Sequence, residues 1–87
     1  MTNAVTSRQD LINELTPIFR SVFDEPNLVL KDEMTAADVA EWDSLNHINL
    51  IIAAEKRFSV KFLTAEIAGL ANVGEFIDTV WKKIQAR

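Results

Sequence analysis

The chain contains no cysteine, only two glycines and only two prolines among its 87 residues. Without cysteine it can form neither a disulfide framework nor a thiolate metal site, and a single histidine offers metals little else. The N-terminus lacks the basic region and apolar run of a signal peptide, and no apolar segment approaches the roughly 20 residues that span a bilayer. These absences predict a cytoplasmic protein without a metal site and without membrane insertion.

Apolar residues make up 48% of the chain, enough for one modest core in a single domain over residues 1–87. The scarcity of glycine and proline favours helices over turns. A chain of this size seldom has the deep cleft of an independent enzyme. Residues 1–6 show no periodic pattern and are predicted to be flexible.

The apolar periodicity indicates an all-α fold with three longer helices and one short helix. The predicted helices lie at about residues 8–23, 44–58, 65–70 and 73–87. Each follows a residue that caps helices well: Ser7, Asp43, Thr64 and Asn72. Pro17 predicts a kink in the first helix, because proline removes one N–H donor. Two short helices are the alternative, but the apolar stripe keeps its phase on both sides of Pro17 and favours one helix. Residues 24–43 form a long loop between the first two helices, with an apolar anchor at residues 28–30 and a tryptophan, Trp42, that fixes the loop to the core.

The second predicted helix is apolar on two sides, which is unusual for a surface helix. One stripe has the spacing of a core-facing surface: Leu50, Ile51, Ala54 and Phe58. A second stripe lies on a different side: Leu45, Ile48 and Ile52. A small domain needs only one stripe for its core, so the second stripe is predicted to be available to a partner.

Negative charge is concentrated on the approach to this helix. Residues 24–43 contain seven acidic residues and one lysine, whereas the whole chain carries a net charge of −4. Such a field repels nucleic acid and attracts basic protein surfaces. A solvated acidic loop that keeps the protein soluble is an equally good interpretation of the charge alone.

Ser44 is predicted to be the first residue of the second helix, where its side chain points into solvent. His47 lies close enough to contact it. However, no glycine-rich turn supplies an oxyanion hole, and Asn46 or Asn49 is a poor substitute for the buried carboxylate that would orient the histidine. Nucleophilic catalysis is therefore not predicted. A helix N-terminus does tolerate a phosphate, so Ser44 is a candidate acceptor of a phosphodiester delivered by another enzyme.

Several features of the sequence resemble the acyl carrier protein family, over essentially the whole chain. They are the tripeptide Asp43-Ser44-Leu45, the preceding Trp42, the helix end from Glu55 to Phe58 and the placement of the helices. The resemblance implies a single acyl-carrier-like domain folded as a four-helix bundle. It also implies a 4′-phosphopantetheine arm, taken from coenzyme A, on Ser44 with Asp43 and Leu45 beside it. The expected function is that of a freestanding, non-catalytic carrier of acyl thioesters in a fatty-acid, polyketide or specialised lipid or secondary-metabolite pathway.

The same resemblance implies a monomer whose partners are a phosphopantetheinyl transferase and acyl-transferring or acyl-activating enzymes. They are expected to dock on Leu45, Ile48 and Ile52, which we call the docking face. Acidic residues are expected at its rim: Asp43, Glu55 and Glu41. Carriers of this family commonly have more acid along this helix, whereas this chain has Asn46, Asn49, Lys56 and Arg57, and this departure favours a specialised carrier.

Two alternatives stay open from the sequence. An aminoacyl or peptidyl carrier has a similar fold, although the absence of a glycine pair before Ser44 argues mildly against it. An unmodified helical adaptor would instead use the docking face to bind a partner helix.

Overall fold

The computed structural model describes residues 6–39 and 42–86. Within them the chain folds into four α-helices and no strand: α1 (Arg8–Val22), α2 (Ser44–Phe58), α3 (Thr64–Ala68) and α4 (Val73–Ala86). The predicted all-α fold with three longer helices and one short helix is confirmed. α1 packs against both α2 and α4. The segment predicted to be flexible is residues 1–6, of which residues 1–5 lie outside the described residues.

α1 is amphipathic and begins where predicted. The Ser7 hydroxyl accepts a hydrogen bond from the Asp10 backbone N–H at 3.1 Å, and Leu11, Leu15 and Phe19 are completely buried. One continuous helix runs through Pro17, which favours the single helix over two short ones. The kink at Pro17 stays a prediction.

Aromatic rings form the centre of the core and hold the loop before α2 in place. The Phe19 ring lies 5.7 Å from Phe76 and 5.8 Å from Phe23, between centroids. Trp42 extends this cluster, with its centroid 5.1 Å from that of Phe23. Such tilted and edge-on pairs add to the stabilisation that comes from burying the rings. The predicted role of Trp42 in fixing the loop to the core is confirmed.

The long loop is also tied to the start of α4. The backbone N–H of Val73 donates to the Met34 carbonyl at 2.8 Å, and that of Gly74 donates to the Asp32 carbonyl at 2.9 Å. These N–H groups belong to the first turn of a helix, which leaves them without partners inside the helix. The loop therefore caps α4 with its own carbonyls. The apolar anchor is smaller than predicted, because Val29 is 61% exposed whereas Leu28 and Leu30 pack on the core.

Gly74→Ala is expected to destabilise the fold, because the loop lies too close to α4 for a side chain. A Cβ at this position would lie 3.0 Å from the Asp32 Cβ and 3.1 Å from its carbonyl oxygen. Overpacking of this kind costs about 1–3 kcal/mol, measurable by urea unfolding followed by circular dichroism. Gly69→Ala is the control, because its Cβ would approach only Ala65 O closely, at 3.3 Å. An equal loss of unfolding free energy in both variants would contradict the explanation that the loop lies too close to Gly74.

The short helix α3 differs from the prediction at both ends. It spans Thr64–Ala68, and Leu63 rather than Thr64 occupies the capping position. A leucine side chain cannot accept a hydrogen bond, and the Glu66 carboxylate accepts from the Leu63 N–H instead, at 2.7 Å. The Lys83 ammonium on α4 also binds Glu66 at 2.7 Å. α3 is thus held by a carboxylate that reaches back over its first turn and by an ion pair to α4.

Glu66 is expected to make stability depend on pH. The hydrogen bond from the Leu63 N–H, followed by that from Lys83, lowers the pKa of the Glu66 carboxyl. A carboxyl with a lower pKa in the folded chain stabilises the fold above its unfolded pKa, and this contribution is lost as the pH falls through the folded value. Glu66→Gln should therefore lower stability in urea unfolding at pH 7 and change it little in acid below the carboxyl range. Glu33→Gln, in the exposed loop, is the control; equal destabilisation by Glu66→Gln at both pH values would contradict this.

Candidate functional site

The start of α2 presents Ser44 to solvent. The Asp43 carboxylate accepts a hydrogen bond from the Asn46 backbone N–H at 2.9 Å, which makes Asp43 the N-cap and Ser44 the first helical residue. The side chains of Asp43 and Ser44 are both exposed. The hydroxyl thus lies at the end of a 15-residue helix where unpaired N–H groups and the helix dipole create positive potential.

The two apolar stripes of α2 have the burial that the sequence predicts. The core stripe is at most 3% exposed: Leu50, Ile51, Ala54 and Phe58. The docking face is open, with Leu45 69%, Ile48 44% and Ile52 43% exposed. Three large apolar side chains on one side of a helix are a typical protein-binding surface.

Of the acidic rim predicted around this face, Asp43 and Glu55 lie among the described residues. Asp43 is exposed at one end, but Glu55 is half-buried and its carboxylate accepts a hydrogen bond from the Phe62 backbone N–H at 2.9 Å. Glu41, the third predicted rim residue, lies outside the described residues. At the other end of the face, Lys56 and Lys61 are exposed beside Ile52. The exposed charged side chains beside the docking face therefore change from acidic near Ser44, at Asp43, to basic near the end of α2, at Lys56 and Lys61.

A cleft of about 480 Å³ opens beside Ser44, between the start of α2 and the segment that joins α3 to α4. Its apolar lining comes from both sides: Ala36, Trp42, Ile48, Leu70, Ala71 and Phe76. Asp43, Ser44, His47 and Asn72 supply its polar lining. Sequence reasoning missed this cleft, because its two walls come from distant parts of the chain.

Trp42 and His47 form a hydrogen-bonded pair in this cleft. The indole Nε1–H donates to His47 Nδ1 at 3.1 Å, and the two ring planes are inclined by 23° with their centroids 6.1 Å apart. Because an indole nitrogen can only donate, His47 Nδ1 must be the acceptor, which places the imidazole proton on Nε2. A donor, not a carboxylate, thus orients His47, so Ser44 and His47 lack the third group of a catalytic triad.

The described part of the chain contains neither a cluster of metal-binding side chains nor a helix that could span a membrane. Residues 6–39 and 42–86 contain no group of three His, Cys, Asp or Glu side chains that could hold a metal ion. Over the same residues, none of the helices has both the length and the apolar character that crossing a membrane requires.

Comparison with known proteins places this geometry in context. No protein-family model matches the sequence. An acyl carrier protein from Acidothermus cellulolyticus is 27% identical over 74 residues, which cover 85% of this chain and 88% of that protein. The solution NMR structure of a holo acyl carrier protein from Geobacter metallireducens is similar with a TM-score of 0.82 and 45% sequence identity, and the match covers 87% of each chain.

Proposed function

The chain belongs to the acyl carrier protein family and is a non-catalytic carrier; from this premise we propose that it carries acyl groups as thioesters on a 4′-phosphopantetheine arm attached to Ser44. The observation that carries the proposal is the position of Ser44, exposed as the first residue of α2 directly after its cap, Asp43. An enzyme can reach this hydroxyl without unfolding any element of the bundle.

The residues around Ser44 fit such an arm. The N-terminal end of α2 favours the negative charge of a phosphodiester, and Ser44 Oγ is the atom that would bond to phosphorus as adenosine bisphosphate leaves coenzyme A. The neighbouring cleft has a volume in the range of roughly 300–1,000 Å³ that is usual for small-molecule sites. When bound, the arm supplies a thiol for thioester formation, which this cysteine-free chain does not encode.

The docking face is the surface that we propose for partner enzymes. A phosphopantetheinyl transferase and acyl-transferring or acyl-activating enzymes must each approach Ser44, and Leu45 and Ile48 are exposed within the next turn of the same helix. The positive end of the face, at Lys56 and Lys61, supports a specialised carrier over one that serves partners with uniformly basic docking surfaces. Its pathway, and its nature as a freestanding, monomeric, cytoplasmic single domain over residues 1–87, stay predictions.

Loading followed by acylation tests the proposed function. The purified chain is incubated with coenzyme A and a phosphopantetheinyl transferase, then with an acyl donor and an acyl-activating enzyme, and its intact mass is measured after each step. We expect a gain of one arm and then of one acyl group, with hydroxylamine removing the acyl group because it is a thioester. An unchanged mass with several transferases, or an acyl group that resists hydroxylamine, would contradict the proposal.

A further inference from the structure

The cleft beside Ser44 contains one ring whose hydrogen-bonding direction is fixed by its neighbour. Trp42 Nε1–H donates to His47 Nδ1 at 3.1 Å, which places the imidazole proton on Nε2. His47 Nε2–H can therefore donate a hydrogen bond to another acceptor. This hydrogen bond restricts the rotation of the imidazole as well. His47 is half-buried and lines the same cleft as Ser44.

Two other polar side chains of this cleft cap helices. The Asp43 carboxylate caps α2 by accepting the Asn46 N–H, and the Asn72 side-chain oxygen accepts the Glu75 N–H at 2.8 Å at the start of α4. Among the described residues that line the cleft, Asp43 is the charged one, and its carboxylate repels an anion held on Ser44. A donor on the cleft side would offset that repulsion.

Resting on the proposed function, we propose that His47 is a positioning residue for the arm, whose Nε2–H donates a hydrogen bond to an oxygen of the phosphodiester on Ser44. Residues three apart are neighbours on a helix surface, so Ser44 and His47 are within reach of one group bonded to Ser44. A hydrogen bond to an ionised acceptor is stronger than one between neutral groups. His47 would thereby direct the root of the arm towards the cleft.

NMR of the loaded chain tests this inference. The chain has a single histidine, so its ¹⁵N and ¹H spectra contain one set of imidazole signals. A loaded chain has one ³¹P signal. We expect the His47 imidazole signals of the wild type to move on loading. His47→Phe, which keeps a ring against Trp42 without a donor, should displace the ³¹P signal, whereas His47→Gln, which restores an N–H donor, should return it towards the wild-type position. Trp42→Phe, which frees Nδ1, should displace it too.

The outcomes separate this inference from the function on which it rests. If the wild-type chain accepts no arm, the proposed function fails and this inference fails with it. If the arm is attached but the imidazole signals are the same in the apo and loaded wild type, only the role of His47 is overturned. A ³¹P signal that is the same in the wild type and in every folded variant overturns it as well. The wild-type comparison involves no substitution, so poor folding of a variant cannot decide the result.

Discussion

The Ser44→Ala chain is expected to gain no arm under conditions that load the wild type completely. The substitution removes one oxygen from an exposed side chain, and alanine is well tolerated in a helix, so the bundle and the docking face should be unchanged. Loss of loading would then report loss of the acceptor atom alone. The measurement is intact mass after incubation with coenzyme A and a transferase, with circular dichroism to show that the fold is retained.

Ser21→Ala is the matched control for this experiment. Ser21 is also an exposed serine within a helix, but it lies on α1, away from the start of α2. It should load at the wild-type rate. Loading of Ser44→Ala, or equal loss of loading in both variants, would contradict the assignment of Ser44.

Ile48→Asp is expected to slow loading by about 10–100-fold without unfolding the chain. Ile48 is 44% exposed in the middle of the docking face, so a transferase that docks there would have to bury a new carboxylate. A hot-spot residue near the centre of an interface contributes about 2 kcal/mol or more, and each 1.4 kcal/mol corresponds to about a tenfold change. The measurement is the initial loading rate at transferase-limited turnover, together with the urea midpoint of the free chain.

Val29→Asp separates the docking face from a general effect of exposed apolar residues. Val29 is 61% exposed but lies in the loop between α1 and α2. It should load like the wild type. Rapid loading of Ile48→Asp would exclude the face from transferase docking, and slow loading of both variants would point to net charge instead.

Inside the cell, the two substitutions distinguish a carrier from an unmodified adaptor. A carrier should lose function with either Ser44→Ala or Ile48→Asp. An adaptor that only uses the docking face should tolerate Ser44→Ala and be damaged by Ile48→Asp.

The features of α2 were predictable because they are local. Spacing alone distinguishes its buried stripe from its exposed one. The cap depends only on the Asp43 carboxylate, which accepts a hydrogen bond from the backbone N–H three residues later. The same reasoning misplaced the start of α3. Threonine is a good cap in general, but the Glu66 carboxylate reaches the Leu63 N–H and so moves the cap position one residue earlier.

The contacts that complete the site were not predictable, because they join residues far apart in the chain or depend on where a side chain points. No spacing rule indicates that Gly74 must accommodate the backbone of Asp32, although the loop that approaches Ser44 depends on it. The Trp42–His47 hydrogen bond crosses a helix start, where sequence periodicity gives no orientation. The sequence predicts Glu55 at the rim of the docking face, but it does not indicate that the Glu55 carboxylate accepts a hydrogen bond from the Phe62 N–H.

Fragmentation mass spectrometry of the loaded wild-type chain tests the central claim most directly, because it locates the arm without altering any residue. We expect the mass of one 4′-phosphopantetheine on the peptide that contains Ser44, and backbone fragments that assign it to Ser44 itself. An arm on any other residue, or a chain that carries none after treatment with several transferases, would contradict it.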